Sequence, residues 1–215
     1  MRKIQQFFMV LLMPLLAFSI SACAEKYTEG KHYSKVNETV SSQAEVREYF
    51  SAYCGHCFKF EPLMHNIKKQ LPSNVKFERN HVDFLRGASP KIQQLISKAV
   101  VAAQQLGDED KLIGAIFNYI HIQRAVITSE KDIRNIFVLN GSDGDKFDKL
   151  MKSFSVNSQA KSMKKHQDNM SQKGALKAVP TVIVNGKYRV NVAELDKNNF
   201  EQDYNNLISH LLTLK

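Results

Sequence analysis

Cys54-Gly55-His56-Cys57 stands between a run with strand character and a run with helix character, and this junction restricts the chain more than any other feature. Val46 to Phe50 carries β-branched and aromatic residues and reads as a strand. Phe58, Leu63, Met64, Ile67 and Leu71 then recur at helical spacing, and Leu71-Pro72-Ser73-Asn74 ends the segment. Val75 to Val82 reads as a second strand. The order is βαβ with a dithiol at the helix N-terminus.

From Arg86 to about Ser171 the signals are helical. Ser89-Pro90 supplies an N-cap and a proline at the first helical position, an apolar repeat runs from Ile92 to Leu106, and Gly107 closes that helix. A second helix fits Glu109 to about Gln123. A third opens at Ser129 with Asp132 in a capping-box place and closes at Asn140-Gly141. A fourth starts at Gly144, and a longer polar one covers Ser155 to Lys173. Strand signals return at Thr181 to Val184, Asn185-Gly186 is a hairpin turn, and Lys187 to Val190 is the return strand. An amphipathic helix with Phe200, Tyr204, Leu207, Ile208 and Leu211 on one face ends the chain. The pattern describes an α/β sheet with an inserted all-helical domain: sheet residues 25–86 and 172–215, insertion 87–171. Residues 25–44 are polar and turn-rich and are expected to lie extended over the surface.

Residues 1–24 read as an export signal. Arg2 and Lys3 precede an apolar run from Phe7 to Ile20 and the small residues Ser21, Ala22, Cys23 and Ala24. Ala22-Cys23-Ala24 fits a signal-peptidase site, whereas Ile20-Ser21-Ala22-Cys23 resembles a lipoprotein box that would place a lipid anchor on Cys23. A third alternative, an uncleaved anchor, suits the run less well because it is short for a span. All three put the domain outside the cytoplasm, where disulfides persist. Beyond this leader no uncharged apolar run reaches about 18 residues, which excludes a polytopic membrane protein. Loss of Arg2 and Lys3 lowers the net charge from +9 to +7, and the remaining basic residues are dispersed, so no nucleic-acid partner is expected.

A CxxC pair is half of a zinc site, a structural disulfide or a redox pair. Zinc needs two further ligands, and the remaining histidines are scattered, so no metal is expected. A loop this short constrains the unfolded chain little. A redox pair uses the position: free amide N–H groups and the helix dipole stabilise an anion at a helix N-terminus, and the thiolate is the reactive form of cysteine. Cys54 is expected to be exposed and to attack, and Cys57, one turn inward, to be shielded and to resolve. His56 between them can add positive charge or a hydrogen bond.

Several stretches extend the pattern: Glu48-Tyr49-Phe50-Ser51 leading to Tyr53-Cys54-Gly55-His56-Cys57, Phe60-Glu61, Leu71-Pro72, His81-Val82, and Val179-Pro180 followed by Val184-Asn185-Gly186-Lys187-Tyr188. Together they resemble the DsbA family of bacterial periplasmic thiol-disulfide oxidoreductases, in the thioredoxin superfamily, over essentially the whole mature chain. The resemblance implies a thioredoxin fold with an inserted helical domain and an oxidase that introduces disulfides into reduced exported polypeptides in the periplasm of a Gram-negative bacterium. It further implies reoxidation by a DsbB-like membrane quinone reductase and no cofactor; a monomer is expected. Pro180, after Val179, matches the family's cis-proline opposite the dithiol, where a proline leaves a backbone edge free for substrate. Glu48 matches a buried acid beneath the dithiol, able to exchange protons with Cys57, and its alternation with Val46 and Phe50 points it inward. Glu61 matches an acid on the active-site helix, and Pro62 is expected to kink that helix.

One departure stands out. The family dipeptide between the cysteines is Pro-His, and here it is Gly55-His56, as in protein disulfide isomerase. An isomerase or reductase of the same fold is therefore the alternative reading, with a dithiol carrier for Cu(I) behind it. At pH 7 a thiolate outweighs the closing of a four-residue loop only if its folded pKa lies below about 5.5. The retained His56 and helix terminus are expected to place Cys54 there.

Overall fold

The computed structural model describes residues 26–214; the export signal and Cys23 lie outside the described residues. A five-stranded mixed sheet has the order β1 (Tyr33–Lys35), β5 (Tyr188–Val190), β4 (Thr181–Val184), β2 (Glu45–Phe50), β3 (Lys76–His81). β2 and β3 are parallel and the other neighbours antiparallel. α1 (Gly55–Gln70) crosses from β2 to β3, and α7 (Phe200–Thr213) joins it on one face. There Val46, Val182 and Val184 of the sheet bury against Met64, Ile67, Tyr204, Leu207 and Leu211. On the other face Tyr49 and Ile183 pack with Met170 and Leu176.

Five helices lie between β3 and β4: α2 (Pro90–Leu106), α3 (Glu109–Phe117), α4 (Glu130–Leu139), α5 (Gly144–Lys152) and α6 (Phe154–Gln172). Their own core runs without a break into Phe50, Ala52, Cys54 and Cys57, so the dithiol sits at the seam between insertion and sheet. Local chemistry sets the boundaries. Ser89 accepts from the Ile92 N–H and Gly107 takes φ +78° at the end of α2. Asp132 accepts the Ser129 N–H at 3.0 Å to open α4. Asn185 and Gly186 both have positive φ, as the β4–β5 hairpin requires.

The structure corrects two expectations. Residues 25–44 are not a surface strap throughout: Tyr33 to Lys35 form β1 on β5, and Tyr27, Tyr33 and Val36 are buried. The second insertion helix does not run to Gln123. α3 ends at Phe117 and widens into a π-helical turn, Asn118–Ile122.

Candidate active site

β2 delivers the chain into a tight loop at its carboxyl end. The Cys54 N–H donates to Ser51 O at 3.0 Å, and the Tyr53 N–H to Ser51 Oγ at 3.2 Å. Cys54 then takes extended backbone angles and caps α1, its Sγ accepting the Cys57 N–H at 3.1 Å. Both cysteines are free thiols. Cys57 is fully buried, and Cys54 retains 8% exposure, less open than expected but still the accessible member of the pair. The hydrogen bond from the Cys57 thiol, with the backbone N–H groups of Cys57 and His56 and the nearby His56 ring, outweighs burial and lowers the Cys54 thiol to about 6. That is close to the value of about 5.5 at which the thiolate offsets loop closure at pH 7. The same thiol–thiol hydrogen bond, and burial, push Cys57 far above the usual thiol range.

The loop before β4 faces this pair. The Val179–Pro180 peptide is cis, and the Val179 carbonyl accepts from Cys54 Sγ at 3.4 Å. His56 is exposed and lines, with Phe60, Pro180, Arg189, Val192 and Tyr204, a groove of about 410 Å³.

Glu48 is fully buried on β2, as its alternation implied. It is not alone. The parallel register sets Arg79 of β3 directly beside it, and Arg79 Nε donates to Glu48 Oε2 at 3.0 Å. The same guanidinium gives both terminal nitrogens to Glu61 of α1, at 2.7 and 2.6 Å, and lies 4.4 Å from the centroid of the Phe50 ring. Burial exceeds the attraction of Arg79 and raises Glu48 to about 7, while Glu48 Oε1 has no hydrogen-bond partner among the described residues. The ionised carboxylate in turn raises Cys57. Sequence reading missed Arg79; the usable signal was a basic residue in register with an inward acid on the neighbouring strand.

A capped, low-pKa thiol beside a buried high-pKa thiol, on a β2–α1 junction facing a cis-proline loop, defines a dithiol–disulfide exchange protein of thioredoxin fold. The DSBA-like thioredoxin domain matches residues 45–204. DsbA of Escherichia coli K12, a thiol:disulfide interchange protein, is 34% identical over 202 residues, covering 91% of this chain and 93% of its own. DsbA of Salmonella typhimurium is 34% identical over 207 residues, covering 94% and 95%. A solved structure of a Proteus mirabilis DsbA cysteine variant with a non-covalently bound cysteine-containing peptide gives a TM-score of 0.77 at 28% identity, covering 88% of this chain and 100% of that one. The chain belongs to the DsbA-like thioredoxin family, and it is a thiol-disulfide oxidoreductase working through the Cys54–Cys57 pair.

Proposed function

We propose that the protein oxidises reduced exported polypeptides in the periplasm, with Cys54 as the sulfur that exchanges and Cys57 as the sulfur that leaves and returns. A substrate thiolate attacks Cys54 Sγ of the Cys54–Cys57 disulfide; a substrate–Cys54 bond forms, and Cys57 departs as a thiolate and takes up a proton. A second substrate thiolate attacks the substrate sulfur of this mixed disulfide, and Cys54 leaves as the stabilised thiolate. The substrate loses two electrons and the protein gains them. A DsbB-like membrane quinone reductase restores the disulfide, and the protein works as a monomer.

The observation that carries this reading is the asymmetry of the two thiols: Cys54 accepts the Cys57 N–H at 3.1 Å while Cys57 is sealed from solvent. Glu48, with its free Oε1, is the proton acceptor and donor for Cys57, His56 supports the Cys54 thiolate, and the Val179–Pro180 edge and its groove receive the substrate backbone. The test is equilibration with glutathione buffers at pH 7. A potential near about −120 mV fits the oxidase, one near about −180 mV fits the isomerase, and one near about −270 mV makes the protein a reductase. The Gly55-His56 dipeptide, with Cys54 at about 6, favours isomerase activity as the second reading.

A further inference from the structure

We infer that His121, on the helical insertion, is a positioning residue for the redox centre: it holds the Ala52 carbonyl and thereby sets where Cys54 Sγ meets the amide donors of α1. This deepens the proposed exchange reading and rests on Cys54 as its reactive thiol.

His121 Nε2 lies 2.8 Å from Ala52 O. A carbonyl only accepts, so Nε2 carries the proton. Ala52 is 2% exposed and sits two residues before Cys54, in the loop already tied by Ser51. The His121 ring also stacks on Phe58, the residue after Cys57, with centroids 5.2 Å apart and planes 7° from parallel. One side chain from the insertion thus touches the chain on both sides of the dithiol. The backbone that presents it is irregular: His121 falls in the π-helical turn, and Arg124 follows with φ +52°. Such widened turns insert a residue and re-aim the side chains that follow.

Loss of this donor acts on Cys54 in two ways with one sign. The loop is freed from the insertion, so Sγ no longer meets the α1 N–H groups at the set distance. The buried Ala52 carbonyl, two residues before Cys54, also keeps its negative end uncompensated. Both disfavour the thiolate.

Two variants separate hydrogen bond from stacking. His121→Phe keeps a ring on Phe58 and loses the donor; His121→Gln loses the ring and keeps an N–H donor of similar reach. The readouts are iodoacetamide alkylation of reduced protein at pH 5, thiolate absorbance against pH, and equilibrium with glutathione, alongside a thermal melt. Below the pKa a rise of half a unit lowers the thiolate fraction about threefold. The expected result is alkylation of His121→Phe at pH 5 slowed at least about threefold, with its glutathione equilibrium at pH 7 moved toward the disulfide about 2.5-fold, and His121→Gln close to wild type. His121→Phe alkylated at the wild-type rate, or His121→Gln as slow as His121→Phe, overturns the inference. A lowered melting temperature with an unchanged thiolate titration also overturns it, because it leaves His121 only a packing role. Wild-type Cys54 inert at pH 5 is a different failure, that of the exchange reading itself.

Discussion

Reducing the Cys54–Cys57 disulfide should change the stability of the protein with a sign that depends on pH. The disulfide closes a four-residue loop and favours the oxidised fold by about 2 kcal/mol, independent of pH. The reduced fold gains from Cys54, whose pKa is lowered to about 6 by the Cys57 thiol and the α1 N–H groups. A depressed folded pKa gives stability that is complete above the unfolded value of about 8.5 and is lost as pH falls through the folded value. At pH 5 the gain is near zero, so the oxidised form leads by nearly the whole ~2 kcal/mol. At pH 7 the gain reaches about 1.4 kcal/mol and the oxidised form leads by roughly half a kcal/mol. At pH 8 the gain is about 2.5 kcal/mol, trimmed slightly because Cys57 stays protonated in the fold, and the reduced form leads by roughly half a kcal/mol. The curves cross near about pH 7.5. Guanidinium melts of both redox forms at pH 5, 7 and 8 measure the difference directly. A reduced form more stable at pH 5, or a difference that ignores pH, would refute the argument from the Cys54 thiolate.

Glu48→Gln removes a carboxyl that burial raises to about 7, so wild type should lose stability relative to the variant as pH rises from about 4.5 through 7; urea melts at pH 5 and 8 give the sign, and equal shifts would place Glu48 in water. Arg79→Leu leaves the buried Glu48 carboxylate and the Glu61 fork without their cation and should cost about 3–5 kcal/mol at pH 8, less at pH 5, where Glu48 is neutral. Gly55→Pro should be accommodated: Gly55 is the first residue of α1, a Cβ there meets nothing within 4 Å, and the restricted unfolded chain should add about 0.4–1 kcal/mol by thermal melt. Cys57→Ala should accumulate mixed disulfides on Cys54 in non-reducing gels, and accumulation by Cys54→Ala instead would reverse the assignment of roles.

Elements whose signals are local were legible in the sequence. β2, the Asn185-Gly186 hairpin, the Ser89 cap and the close of α2 at Gly107 depend on residues within a few positions of one another. β1 was not, because Tyr33 is buried only by pairing with Val190 far along the chain, and Tyr27 only by reaching Asp203, where its hydroxyl donates at 2.6 Å. The end of α3 was hidden because an apolar repeat continues through Ile120 while the backbone widens beneath it. At the site, Cys54, Cys57, Glu48 and Pro180 stand in a recognisable order. Arg79 and His121 do not: a charge in a strand reads as solvated, and a histidine on an amphipathic helix reads as surface. Only Glu48 and Glu61 from two other elements make Arg79 a buried bridge, and only the docking of the insertion brings His121 to Ala52.

The strand order has a consequence for biosynthesis. β2, an interior strand of the sheet, takes one partner, β3, from the first half of the chain and the other, β4, from beyond all five insertion helices; β1 waits for β5, close to the C-terminal end. Pairings this distant raise the contact order, and the entropy of closing such loops has to be met before they return any stability. A nascent chain that stops short of β4 therefore has an unfinished sheet with an open edge on β2. Such a chain gains its full cooperativity only when nearly all of it has been synthesised.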